Sequence, residues 1–100
     1  MKIQILSSAK QDLLDGYFFY EKQSEYLGNY FLDSLYSDID SLLIYAGIHE
    51  IHFTYFRSLS TKFPFAIYYK IEENTIKVYA ILDCRKRPAW IRKKLKYKRS

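Results

Sequence analysis

Residues 65–82 read FAIYYKIEENTIKVYAIL, two β-rich runs joined by three polar residues. The runs Phe65–Ile71 and Thr75–Leu82 are apolar on both alternating faces, which is typical of central strands covered on both sides. The linking residues Glu72-Glu73-Asn74 predict a tight turn in which Asn74 adopts a positive φ angle. The sequence therefore predicts a β-hairpin at the centre of a sheet.

Two further strands are predicted from alternating apolar residues. Ile51–Leu59 alternates with a period of about 2 and predicts one continuous strand before the hairpin. Lys2–Leu6 predicts a short first strand, with Ile3 and Ile5 on one face. Pro64 is expected at the start of the hairpin's first strand, where its missing N–H costs nothing.

Two helices are predicted between the first strand and Gly47. Apolar residues recur at helical spacing over residues 9–23, with Ser7 or Ser8 as the expected N-cap. A second helix over residues 24–46 would begin at Ser24 and end at Gly47, which tolerates a left-handed backbone. The helices cannot bury their wide aromatic stripe by themselves, so they are expected to pack on one face of the sheet. Part of this aromatic surface is expected to remain for a partner.

A final short helix is predicted over Pro88–Leu95, with Trp90 among its apolar residues. The predicted fold class is α+β: β-α-α-β-β-β with a short C-terminal helix, and a helical hairpin packed on one face of a mainly antiparallel sheet. All 100 residues are expected to form a single domain. The other face of the sheet is expected to carry the basic residues.

Composition excludes several classes of protein. The chain is 49% hydrophobic and 27% charged, which predicts a folded protein. No apolar run reaches the roughly 18–20 residues of a membrane span, and no apolar segment follows the basic start, so we expect neither membrane insertion nor export. Cys84 is the single cysteine, which fits a cytoplasmic protein. No cofactor and no metal site are expected.

Charge is divided unevenly along the chain. Residues 1–56 carry a net charge of −5 and residues 57–100 carry +10. After Asp83 the chain contains no acidic residue. Such asymmetry indicates that the second half meets a polyanion or an acidic partner. The alternative is a solvated basic tail that keeps the protein soluble.

Three local motifs appear in a fixed order. They are Ala9…Asp12-Leu13, then Arg57 followed by FPFAIYY at residues 63–69, and ILDCRKRPAWIR at residues 81–92. Together with the order of elements, they resemble the RelE/ParE superfamily, the toxins of bacterial type II toxin–antitoxin pairs. The resemblance covers nearly the whole chain. It implies growth arrest, a role in plasmid stabilization, and a cognate antitoxin protein that wraps a helix around the toxin.

The resemblance leaves the toxin's target open. In the ribosome-dependent members that cut mRNA, basic residues occur together with a histidine or tyrosine near the C-terminus. In this chain Asp83 stands at the end of the last predicted strand, and Tyr97 is the only tyrosine near the C-terminus. The branch that inhibits DNA gyrase by binding, ParE, fits somewhat better. If the protein is a nuclease, Arg57, Arg85 and Arg87 would surround the phosphate. A third alternative is a degenerate, non-toxic module that binds an antitoxin or nucleic acid.

The candidate binding residues are positive or aromatic. They are Arg57, Arg85, Lys86, Arg87, Trp90 and Arg92. The cations are expected to converge on one exposed patch, and Arg85 and Arg87 would form a clamp for a phosphate or carboxylate if the strand continues through them. Trp90 either anchors the terminal helix or stacks on a base.

Arg57 and Asp83 also have structural interpretations. Arg57 either forms an ion pair with Asp83 or Glu50 or presents its charge on the open sheet face. Asp83 is expected to hold Arg57 or Arg85, and the nearby cations should lower its pKa. His49 and His52 are expected to be surface residues or residues with satisfied hydrogen bonds.

Overall fold

A computed structural model describes residues 1–96, so Tyr97 and the last basic residues lie outside the described part of the chain. The elements are β1 (Lys2–Ile5), α1 (Ser7–Glu21), α2 (Leu27–Asp40), α3 (Leu42–Tyr45), β2 (Ile51–His52), β3 (Tyr55–Leu59), β4 (Phe65–Glu72), β5 (Thr75–Asp83) and α4 (Pro88–Lys96). Among the helices of residues 1–96, none combines the length and the hydropathy that crossing a bilayer requires.

The five strands form one mixed sheet in the order β1-β5-β4-β3-β2. β1 runs parallel to β5, and the other neighbouring pairs are antiparallel. The predicted α+β class is confirmed, and so is the central position of the β4–β5 hairpin. Its turn residues Glu73 and Asn74 have φ angles of 51° and 58°, as expected of a two-residue hairpin turn.

The main core lies between the helical hairpin and one face of the sheet. Phe31, Leu35 and Ile39 of α2 are buried there against strand residues such as Ile67 and Tyr69. Helices α1 and α2 come close together at Gly16, where a Cβ atom would lie 2.4 Å from Cζ of Phe31. The glycine is therefore present for close packing, although it weakens an isolated helix by about 1 kcal/mol.

The other face of the sheet is partly covered by α4. Ile91 and Leu95 are one helical turn apart and pack on a second cluster that includes Ala66, Tyr68 and Ala80. The terminal helix was predicted, but the expectation that this face is left to the basic residues is wrong for the part beneath α4. Helix α4 covers apolar strand residues there because β4 and β5 are apolar on both sides.

The predicted strand over residues 51–59 is instead a hairpin. β2 and β3 pair antiparallel, with His52 opposite Tyr55. The two turn residues, Phe53 and Thr54, have φ angles of 54° and 74°. Neither residue type favours this conformation, so the sequence contains no turn signal at this point.

The predicted helix starts also need correction. Helix α1 begins at Ser7 and has no side-chain cap; Ser8 Oγ instead donates a hydrogen bond to the carbonyl of Tyr79 at 2.7 Å. Ser24 does not cap the second helix, because α2 begins after Tyr26 and the Glu21 carboxylate accepts the N–H of Tyr26 at 3.0 Å. A residue of the preceding helix thus replaces the expected local cap of α2, whereas the Ser8 contact joins α1 to β5.

Gly47 ends the helical region as predicted, with a φ angle of 94°. The helical region before it is divided into α2 and the four-residue α3, with Ser41 between them. Ser41 Oγ donates to the carbonyl of Asp38 at 2.6 Å.

Candidate functional site

A cleft lies between α1, the end of β5 and the start of α4. Its volume is about 470 Å³. β1 pairs with β5 only as far as Val78, so α1 lies beside the last residues of β5. The Asp12 carboxylate accepts the N–H of Ile81 there at 3.0 Å, in the place where a strand would otherwise pair. The cleft therefore opens at the end of β5, where helix α1 rather than another strand lies beside it.

The two sides of the cleft carry opposite charges. Asp12, Asp15 and Phe19 line it from α1 and follow one another at helical spacing. Arg85, Lys86, Trp90 and Lys94 line it from the turn after β5 and from α4, and Phe65, Ile81 and Leu82 add apolar surface. Three predicted binding residues, Arg85, Lys86 and Trp90, thus lie in one site. Sequence analysis missed Phe19 and Asp15, whose helical spacing with Asp12 was the available signal.

Asp83 and Arg85 form an ion pair in the cleft. Arg85 Nη2 lies 2.7 Å from Asp83 Oδ2, and the backbone N–H of Arg85 donates to Asp83 Oδ1 at 2.8 Å. Hydrogen bonds from Arg85 hold the pKa of Asp83 below its ordinary value, in the predicted direction. Of the two interpretations of Asp83, the one in which it holds Arg85 is confirmed.

Tyr20 extends this pair toward the core. Burial raises the pKa of the Tyr20 hydroxyl, and the charge of Arg85 opposes the rise. Tyr20 therefore keeps its proton near neutral pH, whereas Asp83 remains ionised. Neither group is suited to exchange protons in that range.

Trp90 lies between two lysines. The Nζ atoms of Lys86 and Lys94 are 5.5 Å and 5.4 Å from the centroid of its ring. Trp90 is half-buried against the cluster beneath α4, which agrees with its predicted anchoring role. The same side chain also lines the cleft, so anchoring leaves part of its ring available to a ligand.

Arg57 lies apart from this cleft. It pairs with Tyr68 on the α4 face, whereas Asp83 pairs with Phe65, whose side chain is in the core on the opposite face. Burial raises the pKa of Tyr68, and the Arg57 guanidinium opposes that rise. Within residues 1–96 Arg57 forms no ion pair with Asp83 or Glu50. Its backbone N–H donates to the backbone carbonyl of Glu50 at 2.9 Å. The expected convergence of Arg57 with Arg85 is therefore wrong.

Arg87 and Arg92 occupy two further positions. β5 ends at Asp83 and the chain turns, so the strand does not continue through Arg85 and Arg87 as the predicted clamp requires. The Arg87 carbonyl accepts the N–H groups of Trp90 and Ile91 at the start of α4. The Arg92 guanidinium lies 5.6 Å from the centroid of Phe53, in the β2–β3 turn.

A second cationic surface lies on the open part of the α4 face. Lys70 and Lys77 stand directly opposite each other on β4 and β5. Lys70 Nζ lies 4.6 Å from the ring centroid of Tyr55, and Lys77 pairs with Glu72 at 3.4 Å. Hydrogen bonding from Tyr79 lowers the pKa of Glu72. These contacts offset the repulsion between the two lysine side chains, which would otherwise destabilise the sheet.

Both histidines have partners, as predicted. Tyr69 accepts the N–H of Gly47 at 2.9 Å, and its hydroxyl lies 2.6 Å from Nδ1 of His49. Burial lowers the pKa of His49. His52 lies 3.6 Å from the Glu50 carboxylate. Within the described residues, no three histidine, cysteine or acidic side chains are grouped as a metal site would require.

Comparison with known proteins adds no family assignment. No protein-family model matches the chain, and no curated protein matches it.

Proposed function

We propose that this protein is a type II toxin of the RelE/ParE kind that arrests growth by binding DNA gyrase, as ParE toxins do. The observation that carries the proposal is the basic segment after β5. Lys86, Arg87 and the α4 cations Arg92–Lys94 are exposed, whereas Arg85 is paired with Asp83. Such a surface suits a large acidic or polyanionic target.

The arrangement of the arginines favours binding over RNA cleavage. A nuclease needs cations around one phosphate and groups that exchange protons beside it. Arg57 lies on the face opposite to Asp83 and Arg85, and Arg85 is held by that carboxylate. The raised pKa of Tyr20 and the lowered pKa of Asp83 leave this corner without a suitable proton carrier.

A cognate antitoxin is the proposed partner in the resting state. The outer side of the helical hairpin leaves Leu14, Phe18 and Tyr30 substantially exposed. The second half of the chain is strongly positive. An acidic, amphipathic antitoxin segment would match both features. The protein would then act in the cytoplasm, where its target is found.

Expression without an antitoxin tests the proposal. We expect growth arrest with DNA breaks and filamentation while mRNA stays intact, and we expect the purified protein to inhibit supercoiling by DNA gyrase. Codon-placed mRNA cuts without DNA damage would favour the nuclease alternative. Healthy growth of cells that contain abundant, folded protein would favour the alternative of a non-toxic module.

Paired variants locate the binding surface. Lys86→Ala with Arg87→Ala should weaken gyrase inhibition at least about tenfold, because two exposed charges leave the proposed interface. Lys10→Ala with Lys22→Ala removes the same charge from exposed positions in and just after α1 and should have little effect. Equal loss in both pairs would show that only net charge matters.

A further inference from the structure

The cleft between α1 and α4 combines features of a small-ligand site. Its volume of about 470 Å³ falls within the range of ligand pockets, roughly 300–1,000 Å³. Apolar side chains from the strands line it, and charged groups lie on both sides. The proposed binding of gyrase does not need such a cleft, because a protein target can bind the exposed basic segment alone.

Two aromatic side chains line the cleft, Phe19 from α1 and Trp90 from α4. Phe19 of α1 is 52% exposed even though it lies beside buried Tyr20. Trp90 of α4 is half-buried, and its ring faces two ammonium groups. Aromatic rings that line a cleft offer apolar contact to a planar ring, and nucleobases bind to such surfaces.

The positive side of the cleft can hold an anion. Lys86 and Lys94 both line it, with their Nζ atoms at nearly equal distances from Trp90. Arg85 is already paired with Asp83, so the two lysines supply the charge that remains. A phosphate bound between them would lie next to the aromatic rings.

The acidic side limits what else can enter. Asp15 is exposed, and Gln11 Nε2 donates to its Oδ1 at 3.0 Å, which leaves Oδ2 able to accept further hydrogen bonds. A carboxylate prefers a base edge rich in N–H donors, which guanine presents. The same carboxylate would repel the continuing phosphates of a polynucleotide.

We propose that this cleft binds a single guanine nucleotide, with the base against Phe19 and Trp90, the phosphate on Lys86 and Lys94, and the base edge toward Asp15. Binding is measured on the purified chain alone, so the proposal does not rest on a toxin function. Either proposal can fail while the other stands.

The chain contains one tryptophan, so its fluorescence reports directly on the cleft. Titration with GMP should change Trp90 fluorescence saturably, and calorimetry should show matching heat. UMP and inorganic phosphate should each bind more weakly than GMP. The proposal is overturned if GMP gives neither a saturable signal nor heat at millimolar concentration.

Neighbouring residues provide matched controls for the ring and for the charge. Phe19→Ala should weaken GMP binding at least about fivefold, whereas Phe18→Ala, which removes a 57% exposed ring outside the cleft, should not. Lys94→Ala should weaken binding about fivefold in low salt, and Lys93→Ala should not. Circular dichroism should show every variant folded. Equal losses within either pair would overturn the site.

Two further measurements test the base and the source of the ligand. Asp15→Asn should reduce the preference for GMP over UMP; an unchanged preference would overturn the role of Asp15. A short single-stranded RNA should bind no more tightly than GMP. Much tighter RNA binding would overturn the single-nucleotide assignment in favour of a polynucleotide.

Discussion

The carboxylate of Asp12 in α1 accepts a hydrogen bond from the backbone N–H of Ile81 in β5, at 3.0 Å. These residues are 69 positions apart in the chain. β1 pairs with β5 only through Val78, so Asp12 satisfies a strand N–H that would otherwise lack a strand partner. This contact joins the first helix to the last strand at the side of the cleft.

Replacing Asp12 should therefore destabilise the fold. Asp12→Ala should lower the free energy of unfolding by about 1.5–3 kcal/mol, because it leaves a partly buried N–H without its charged acceptor. Asp12→Asn keeps an acceptor oxygen and should lose less. Urea unfolding measures both variants, and equal losses would show that the hydrogen bond is not the cause.

Asp38 should matter for stability even though it lies outside the proposed sites. Its side chain is buried and accepts hydrogen bonds from Ser60 Oγ at 2.8 Å, from Thr61 Oγ1 at 3.1 Å and from the Thr61 N–H at 3.2 Å. Asp38→Ala should lower the free energy of unfolding by about 2–3 kcal/mol, since three donors lose their acceptor. Asp40, which is exposed, provides the control: Asp40→Ala should change the free energy of unfolding by less than about 0.5 kcal/mol.

The β2–β3 turn should gain stability from glycine. Thr54 has a φ angle of 74°, which is unfavourable for a β-branched residue. Thr54→Gly should raise the free energy of unfolding by about 1 kcal/mol, because relief of strain exceeds the entropy cost of glycine. In the β4–β5 turn, Asn74→Gly should gain less, since asparagine tolerates positive φ. Thermal unfolding compares the two, and the reverse order would contradict the strain argument.

His49 should make stability depend on pH in the weakly acidic range. Burial lowers its pKa from the ordinary value of 6.5, so the unfolded chain takes up a proton more readily than the folded chain. The contribution is complete above about pH 6.5 and is lost as pH falls below that value. In the protonated ring Nδ1 carries a proton, and this atom lies 2.6 Å from the Tyr69 hydroxyl.

Denaturant unfolding from about pH 8 to about pH 5.5 measures this loss. His49→Gln should flatten the pH dependence of the free energy of unfolding. If His49→Gln kept the full slope, another group would be responsible.

The sequence predicted most of the elements because their signals are local. Helical and alternating apolar patterns lie within single segments, and Gly47 and Asn74 have positive φ as their residue types suggest. The Phe53–Thr54 turn could not be predicted in this way. Its residues favour extended backbone, and tertiary contacts such as Arg92 against Phe53 accompany the turn.

The composition of the candidate site depended on contacts between segments that are far apart in the sequence. Arg85, Lys86 and Trp90 are close in sequence and remain close in the fold, so that part of the prediction was accessible. The prediction that Arg57 joins them rests on its charge and on the motif resemblance, but strand pairing puts it opposite Tyr68 and puts Asp83 opposite Phe65. Faces alternate with every residue along a strand, so a cation's face depends on the register, which charge does not reveal.

Local patterning thus determined the α+β class, the central hairpin, the basic terminal helix and the charge division of this chain. Tertiary structure alone decided that Phe53 and Thr54 form a turn, that α1 lies beside the end of β5, and that Phe19 and Trp90 line one cleft. The physical reason is distance along the chain. Residues more than 60 positions apart come together only through packing and strand register, and a short-range periodicity carries no information about either.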